Sequence, residues 1–267
     1  MSYFVPETEE HLAGAGLERG RMQYFASRSA PMGAVGPSVV TATFYNFHPG
    51  LVARCIPAAW ALADPATITA ARYAAVDAAL RRLLGDDAVA SPEIVEAAGI
   101  ARRAAEACTA LGRALVAGHL DLEWPVEPHM VLWHAVTILR EHRGDGHVLL
   151  LLDAELDGLE ALVSYTATGN GFVVPFARKS RGWSEEEWDA GVARLRERGL
   201  LDADGALTAE GTALRGRIEQ DTDRLGAGPY RAIGAEATAR LGELGRTLVR
   251  QLVVAGAFPD GIFARSR

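Results

Sequence analysis

The sequence of 267 residues is poor in the features that mark secreted and membrane proteins. Its two cysteines, Cys55 and Cys108, lie far apart without a CxxC partner, which indicates a reducing compartment and no disulfide framework. No apolar run reaches the roughly 20 residues of a membrane helix, and the N-terminus lacks the basic region and apolar run of a signal peptide. These absences predict a cytoplasmic protein without a membrane partner.

Positive charge is also scarce. Lys179 is the only lysine, and the formal net charge of −7 disfavours a general role on nucleic acid or anionic lipid. Neither a GxGxxG nor a P-loop pattern occurs, so we expect no nucleotide cofactor bound in those ways. No GxSxG elbow surrounds Ser27 or Ser29, so a hydrolase triad has no support.

What the sequence does contain is helical periodicity. Apolar residues recur at spacings of three and four, which predicts a mostly α fold. Asp64 and Ser91 each precede a proline, and Ser184 forms a capping box with Glu187, so these positions predict helix starts. The predicted helices are Glu7–Ala15, Gly20–Ala26, Pro37–Phe44, Pro49–Ala61, Pro65–Leu84, Pro92–Val116, Pro128–Arg143, His147–Thr168, Glu185–Arg198, Ala209–Leu225 and Ala235–Ala257.

Two of these helices form the centre of the predicted fold. Pro128–Arg143 and His147–Thr168 carry apolar residues all round, so we expect a buried helical hairpin that turns at Gly144-Asp145-Gly146. The predicted domains are an N-terminal helical domain (1–120), a domain with the central hairpin and a winged helix (121–226), and a C-terminal helix (227–267).

Two resemblances support this multi-helix architecture. The segment LRERGLLDADGALTAEGTAL, Leu195 to Leu214, resembles the recognition helix, small β-wing and following helix of MarR-like winged-helix proteins. The segments YFASRSAPMG, ATFYNFHP, EPHMVLWHAVTILREHRGDGH and RGWSEEEW resemble a family of actinobacterial proteins labelled helix-turn-helix or winged-helix-like. The resemblance implies a helical part joined to a winged helix, and a homodimer paired through the terminal helix Ala235–Ala257.

DNA is the partner that this resemblance implies, but the charges disfavour it. In a MarR-like arrangement the start of the recognition helix approaches bases and phosphates. Here that start carries four carboxylates, from Glu185, Glu186, Glu187 and Asp189, which repel a polyanion. DNA binding is therefore retained as an alternative and not as the leading interpretation.

The strongest candidate site lies in the apolar stretch from Glu127 to Asp157, where buried polar groups need partners. At helical spacing, His129, Trp133 and Arg140 share one stripe, while His134 and Glu141 share the next. One interpretation is acid–base catalysis, with His134 as proton shuttle, Glu141 orienting it and His129 nearby. A second is an anion pocket in which Arg28, Arg140 and Arg143 hold a carboxylate or phosphate.

Two further interpretations concern the end of this stretch. His142, Asp145 and His147 offer nitrogen and oxygen ligands for a metal or haem, although their spacing matches no zinc motif. The structural alternative is a buried network, with Asp145 as a helix cap and Glu141 paired with an arginine. Upstream, Tyr45 and Asn46 lie in an aromatic cluster typical of small-molecule pockets, so we predict that they line the site.

Three functions follow from these residues. The leading hypothesis is a cytoplasmic enzyme that performs acid–base chemistry on an acidic or aromatic metabolite. The alternative is a ligand-responsive winged-helix regulator, and a third hypothesis is a non-catalytic small-molecule binding protein. All three expect a small-molecule ligand, and none identifies a cofactor.

Overall fold

The computed structural model describes residues 1–264 and is mostly helical, as predicted. Its helices are α1 (Pro6–Gly14), α2 (Arg21–Ser29), α3 (Pro37–Phe44), α4 (Pro49–Cys55), α5 (Ala58–Leu62), α6 (Pro65–Leu84), α7 (Asp86–Val89), α8 (Pro92–Glu106), α9 (Ala114–Leu120), α10 (Pro128–Asp153), α11 (Gly158–Thr166), α12 (Val174–Arg181), α13 (Glu185–Glu197), α14 (Ala209–Gly226) and α15 (Gly228–Val254), with a 3-10 turn at Ala30–Met32. Within residues 1–264, no helix is both long and apolar enough to cross a lipid bilayer.

The predicted helix starts are confirmed by their hydrogen bonds. Asp64 accepts from the Thr67 amide at 2.9 Å, and Ser91 accepts from the amide three residues later at 3.3 Å. Ser184 and Glu187 form the reciprocal capping box at the start of α13. Each of these bonds satisfies an amide that would otherwise have no partner in the first helical turn.

The predicted central hairpin is wrong, because α10 continues through Gly144-Asp145-Gly146 without a turn. Two glycines cost a helix about 1 kcal/mol each relative to alanine, which tertiary packing readily offsets. Asp145 accepts from the Val116 amide at 2.9 Å, so it caps the neighbouring helix α9 instead of opening a new one. The next helix along the chain, α11, begins at Gly158, where Asp157 is the N-cap residue and forms a capping box with Glu160.

Other predicted elements also differ from the structure. The predicted helix Pro49–Ala61 is two helices, because Pro57 has no amide hydrogen to continue the first. Pro92–Val116 likewise divides into α8 and α9, and α12 was not predicted at all. The β-wing is not a pair of strands: in the described residues, the only bridges outside helices are Leu201 with Leu207 and Phe172 with Phe263.

The chain folds into two compact units, each assembled from separate segments. The first unit contains Met1–Val35, Cys55–Asp145 and Leu225–Pro259, and its core includes apolar residues of α8, α10 and α15. The second unit contains Gly36–Arg54, Gly146–Arg224 and the chain from Asp260, with apolar residues of α11, α13 and α14 in its core. The division at residues 120 and 226 stays a prediction.

Candidate functional site

The most polar part of α10 in the first unit centres on Glu141. Its side chain is only 1% exposed and is held by two arginines. Arg28 donates from Nη2 to Oε2 at 2.9 Å and from Nε to Oε1 at 3.3 Å, while Arg140 pairs with Oε1. Arg28 also donates to the Tyr24 hydroxyl at 3.2 Å. Two of the three predicted anion-binding arginines, Arg28 and Arg140, therefore lie together, and the anion that they hold is Glu141.

The charge state of Glu141 follows from these contacts. Burial alone would raise the pKa of Glu141, but the guanidinium groups of Arg28 and Arg140 lower it to about 2. The same carboxylate raises the pKa of Arg28 well above its ordinary value, against the effect of burial. An ionised carboxylate with both oxygens bound is a weak proton acceptor, so this geometry fits a structural network better than a catalytic base.

His134, the predicted proton shuttle, is fully buried and has different partners. Its Nδ1 pairs with the Tyr73 hydroxyl at 2.6 Å, and its ring meets Trp124 edge-on at a centroid distance of 4.6 Å. Nε2 has no hydrogen-bond partner in the described part of the chain. Burial, followed by the charges of two arginines, lowers the pKa of His134 to about 4, so the ring is neutral near pH 7. Orientation of His134 by Glu141 therefore has no support in these contacts.

The other two predicted residues on this part of α10, His129 and Trp133, contact α6. His129 Nε2 pairs with Asp77 Oδ1 at 2.5 Å. The Trp133 ring meets Tyr73 edge-on at 5.0 Å, and the Arg72 guanidinium lies over the same indole at 5.1 Å. These contacts hold α10 against α6, so the buried polar residues on this face of α10 have a structural role.

The residues of the metal alternative are engaged elsewhere. Asp145 caps α9, and burial raises its pKa to about 6. Burial lowers the pKa of His142 to about 4, and His147 Nδ1 pairs with Thr222 Oγ1 at 2.8 Å. Among residues 1–264, no three His, Cys, Asp or Glu side chains are arranged to hold a metal ion. The metal site therefore has no geometric support, and haem binding stays a prediction.

Two polar residues of α6 that the sequence pattern did not indicate, Arg72 and Tyr73, belong to this network, and His119 of α9 is buried close to its charges. Arg72 is 3% exposed and donates to the Ser27 carbonyl at 3.1 Å and to the Tyr3 hydroxyl at 3.0 Å. His119 is 1% exposed and pairs with a carbonyl of its own helix at 2.9 Å. Arg72 is the one charged residue in the alanine-rich first half of α6, and this feature of the sequence could have indicated a buried, paired arginine.

The second unit contains a different candidate site, formed by α12, a tight turn and α13. Gly182 ends α12 with a φ of 82°, and its amide and the next one donate to the Arg178 carbonyl at 3.1 and 3.2 Å. This left-handed ending is the usual role of a glycine after a helix. Ser184 then caps α13 by accepting from the Glu187 amide at 3.1 Å. Two helices joined by a short glycine-containing turn form a helix-turn-helix.

The predicted ligand residues Tyr45 and Asn46 belong to the second unit, where Asn46 contacts this turn and Tyr45 contacts the segment before α11. The Trp183 indole donates from Nε1 to the Asn46 carbonyl at 3.0 Å, and the His48 ring meets Trp183 edge-on at 4.9 Å. The Tyr45 hydroxyl donates to the Leu156 carbonyl at 2.6 Å. Asn46 and His48 therefore contact Trp183 of the turn, and the sequence pattern alone does not predict these contacts.

The exposed surface at the start of α13 is acidic. Glu185 has 78% of its side chain exposed, and Glu186 and Asp189 are also exposed. Arg194, further along α13, is held by two carboxylates of the α11 capping box at 2.8 and 2.9 Å. In contrast, Lys179 near the end of α12 is exposed. Arg178 of α12 pairs with Glu185 at 3.2 Å, so the carboxylates of α13 lie beside the basic residues Arg178 and Lys179 of α12.

Comparison with known proteins assigns the family. A family model described as "Helix-turn-helix family" matches residues 1–259, nearly the whole chain. A search of curated proteins and a search of solved structures found no match. The matched residues include both α12 and α13, the two helices joined by the glycine turn. The chain therefore belongs to a helix-turn-helix family.

Proposed function

We propose that the protein is a ligand-responsive transcriptional regulator that binds DNA as a homodimer through α12 and α13. The main support is the order of elements in the second unit, which is α12, α13, a turn bridged by Leu201 and Leu207, and then α14. We interpret this order as that of a winged helix in which the bridged turn replaces the β-wing. Family membership supports the same function, and such a regulator acts in the cytoplasm.

The acidic start of α13 determines how this protein would recognise DNA. Carboxylates repel phosphates, but they accept hydrogen bonds from the N4 amino group of cytosine in the major groove. Glu185 and Asp189 are one helical turn apart and are both exposed, so they are the candidates for base contact. The candidate phosphate contacts are Lys179 and Arg178 on the preceding helix. Because Arg178 pairs with Glu185 at 3.2 Å, DNA binding would exchange this ion pair for contacts with phosphate and base. The proposal therefore predicts a site with cytosines and few phosphate contacts.

The long helix α15 is the proposed contact between two copies. Its C-terminal half exposes Val249 and Val253, which are 55% and 56% exposed and lie four residues apart on one helix face. Exposed apolar pairs on a terminal helix suit a symmetric interface, in which the same patch of each copy meets the other.

Selection from a random duplex library tests the proposal. Purified protein is expected to enrich a two-fold symmetric, cytosine-containing site, and binding to that site is then measured by fluorescence anisotropy. The triple variant Glu185→Gln, Glu186→Gln, Asp189→Asn should bind random DNA more tightly, because it removes repulsion, and should lose the cytosine preference.

A charge-matched control separates these effects from net charge. Glu10, Glu93 and Glu127 are exposed carboxylates of the first unit, and their replacement by glutamine changes net charge by the same amount. The control variant should retain the sequence preference of the wild type. Failure to enrich any sequence at about 50 mM salt, where phosphate contacts are strongest, would refute the regulator proposal.

The enzyme is the second candidate function, and one observation favours it. A groove of about 620 Å³ in the first unit is lined in part by Tyr73, Gly118 and Asp121, and the Tyr73 hydroxyl pairs with His134. This volume lies within the usual range of small-molecule pockets. Loss of activity on a metabolite panel in Tyr73→Phe, with an unchanged fold, would support the enzyme, whereas no turnover by the wild type would remove it.

A further inference from the structure

Arg215 of α14 is a buried cation with incomplete hydrogen bonding. Its side chain is 5% exposed and donates from Nη2 to Glu219 Oε1 at 3.1 Å. Nε and Nη1 are buried and have no hydrogen-bond partner in the described residues. The guanidinium carbon lies 5.4 Å from the centre of the Tyr165 ring. Because buried polar groups nearly always have partners, two unsatisfied nitrogens on one cation point to a ligand that the chain does not supply.

The same arginine lines an open groove in the second unit. The groove has a volume of about 620 Å³, within the usual range of small-molecule pockets. Tyr165 and Leu207 contribute apolar surface, while Thr168, Asn170 and Thr212 contribute hydroxyl and amide groups. The lining therefore combines one buried cation, the partly exposed carboxylate of Glu219 that pairs with it, an aromatic ring and several neutral polar groups.

We propose that this groove binds a small aromatic monocarboxylate, with the carboxylate on Arg215 and the ring against Tyr165 and Leu207. Guanidinium and carboxylate are geometrically matched hydrogen-bonding partners. Glu219 already places one negative charge on Arg215, which disfavours a dianion such as hydrogen phosphate relative to a monoanion. The apolar contacts favour an aromatic ligand over a simple inorganic ion.

The position of the groove suggests how ligand binding would act on DNA binding. Leu207 belongs to the bridged turn that follows α13, and Thr212 and Arg215 belong to α14. A ligand in the groove would therefore contact the proposed wing and the helix after it. This regulatory role rests on the proposed function, whereas ligand binding itself does not.

Calorimetric titration of the full chain with benzoate tests the binding, with benzamide as the neutral isostere and inorganic phosphate as the alternative anion. Arg215→Met removes the cation, and Gly216→Leu fills the groove from the adjacent residue. A Cβ at Gly216 meets no atom within 4 Å, so this variant should fold even if Arg215→Met does not. Arg217→Met is the matched control, because Arg217 is an exposed arginine of α14 outside the groove lining.

The wild type and the Arg217→Met variant should bind benzoate with equal affinity. The affinity of Gly216→Leu, and of Arg215→Met if it folds, should be lower by about tenfold or more. Benzamide and phosphate should bind much more weakly than benzoate. Undetectable benzoate binding at about 10 mM, where a Kd near 1 mM would be saturated, would overturn the proposal. So would unchanged binding in Gly216→Leu, equal binding of benzamide, or tighter binding of phosphate. Because no DNA is present, these outcomes are independent of the regulator proposal.

Discussion

Replacement of Glu141 by glutamine tests whether the polar cluster on α10 is structural. The variant leaves Arg28, whose side chain is 12% exposed, without its counter-charge, and it keeps nearly the same side-chain volume. Breaking a buried ion pair on one side costs about 3–5 kcal/mol. The pKa of Glu141 gives a consistent figure: it falls from an ordinary 4.5 to about 2, and each pKa unit corresponds to about 1.4 kcal/mol, or roughly 3 kcal/mol in all.

The assay is urea unfolding followed by circular dichroism at several pH values. A carboxyl group whose folded pKa is lowered stabilises the protein above its unfolded pKa and loses that effect as the pH falls towards the folded pKa. Glu141→Gln should therefore cost about 3 kcal/mol at pH 7, and the difference from the wild type should shrink between pH 4.5 and about 2.

Two controls make the result specific. Glu96→Gln breaks the ion pair between Glu96 and Arg240, whose side chains are 42% and 44% exposed, and should change stability much less. The double variant Arg28→Met, Glu141→Met removes both charges and should recover most of the loss, because an apolar pair can replace a buried ion pair. A Glu141→Gln variant that loses less than about 1 kcal/mol at pH 7 would refute the structural interpretation.

Three further predictions concern single positions elsewhere in the chain. The raised pKa of Asp145 stabilises the native state below the unfolded pKa, and this stabilisation is lost as the pH rises through about 6. Asp145→Asn should therefore remove the fall in unfolding free energy between about pH 4 and 6 in urea unfolding. An unchanged pH profile of stability would contradict this. Gly182→Ala should destabilise the protein more than Gly199→Ala. Both glycines have a positive φ, but only at Gly182 does a new Cβ lie 2.8 Å from a leucine side chain of α4. Equal urea midpoints of unfolding for the two variants would count against this packing. Val249→Glu with Val253→Glu should convert a homodimer to a monomer in sedimentation without loss of helicity, and a persistent dimer would place the interface elsewhere.

Much of the helical structure could be predicted from local signals. Pro37–Phe44 and Pro65–Leu84 have the predicted limits, because a proline opens each helix and strong local signals act over one turn. The helix from Pro128 was predicted, but its continuation through Asp145 was not, for the opposite reason. Glycines around Asp145 indicate a turn locally, but the Asp145 side chain caps α9, a contact that no local pattern contains.

The candidate site shows the same limit. Helical spacing placed Trp133, Arg140 and Glu141 on polar stripes of one helix, and the structure places them on α10. The partner of Glu141 is Arg28, which is 113 residues away along the chain. Only the tertiary fold determines that pairing, so the sequence could suggest a paired carboxylate or a ligand pocket without deciding between them.

The most direct test of the regulator is the salt dependence of binding to its selected DNA site. Two cations per subunit, Lys179 and the Arg178 released from its ion pair with Glu185, give about four phosphate contacts per dimer and a slope of log K against log [salt] of roughly −4. Binding with that slope, and with Lys179→Ala making it shallower, is the predicted result. No binding at about 50 mM salt, or equal binding to a scrambled duplex, would contradict the account.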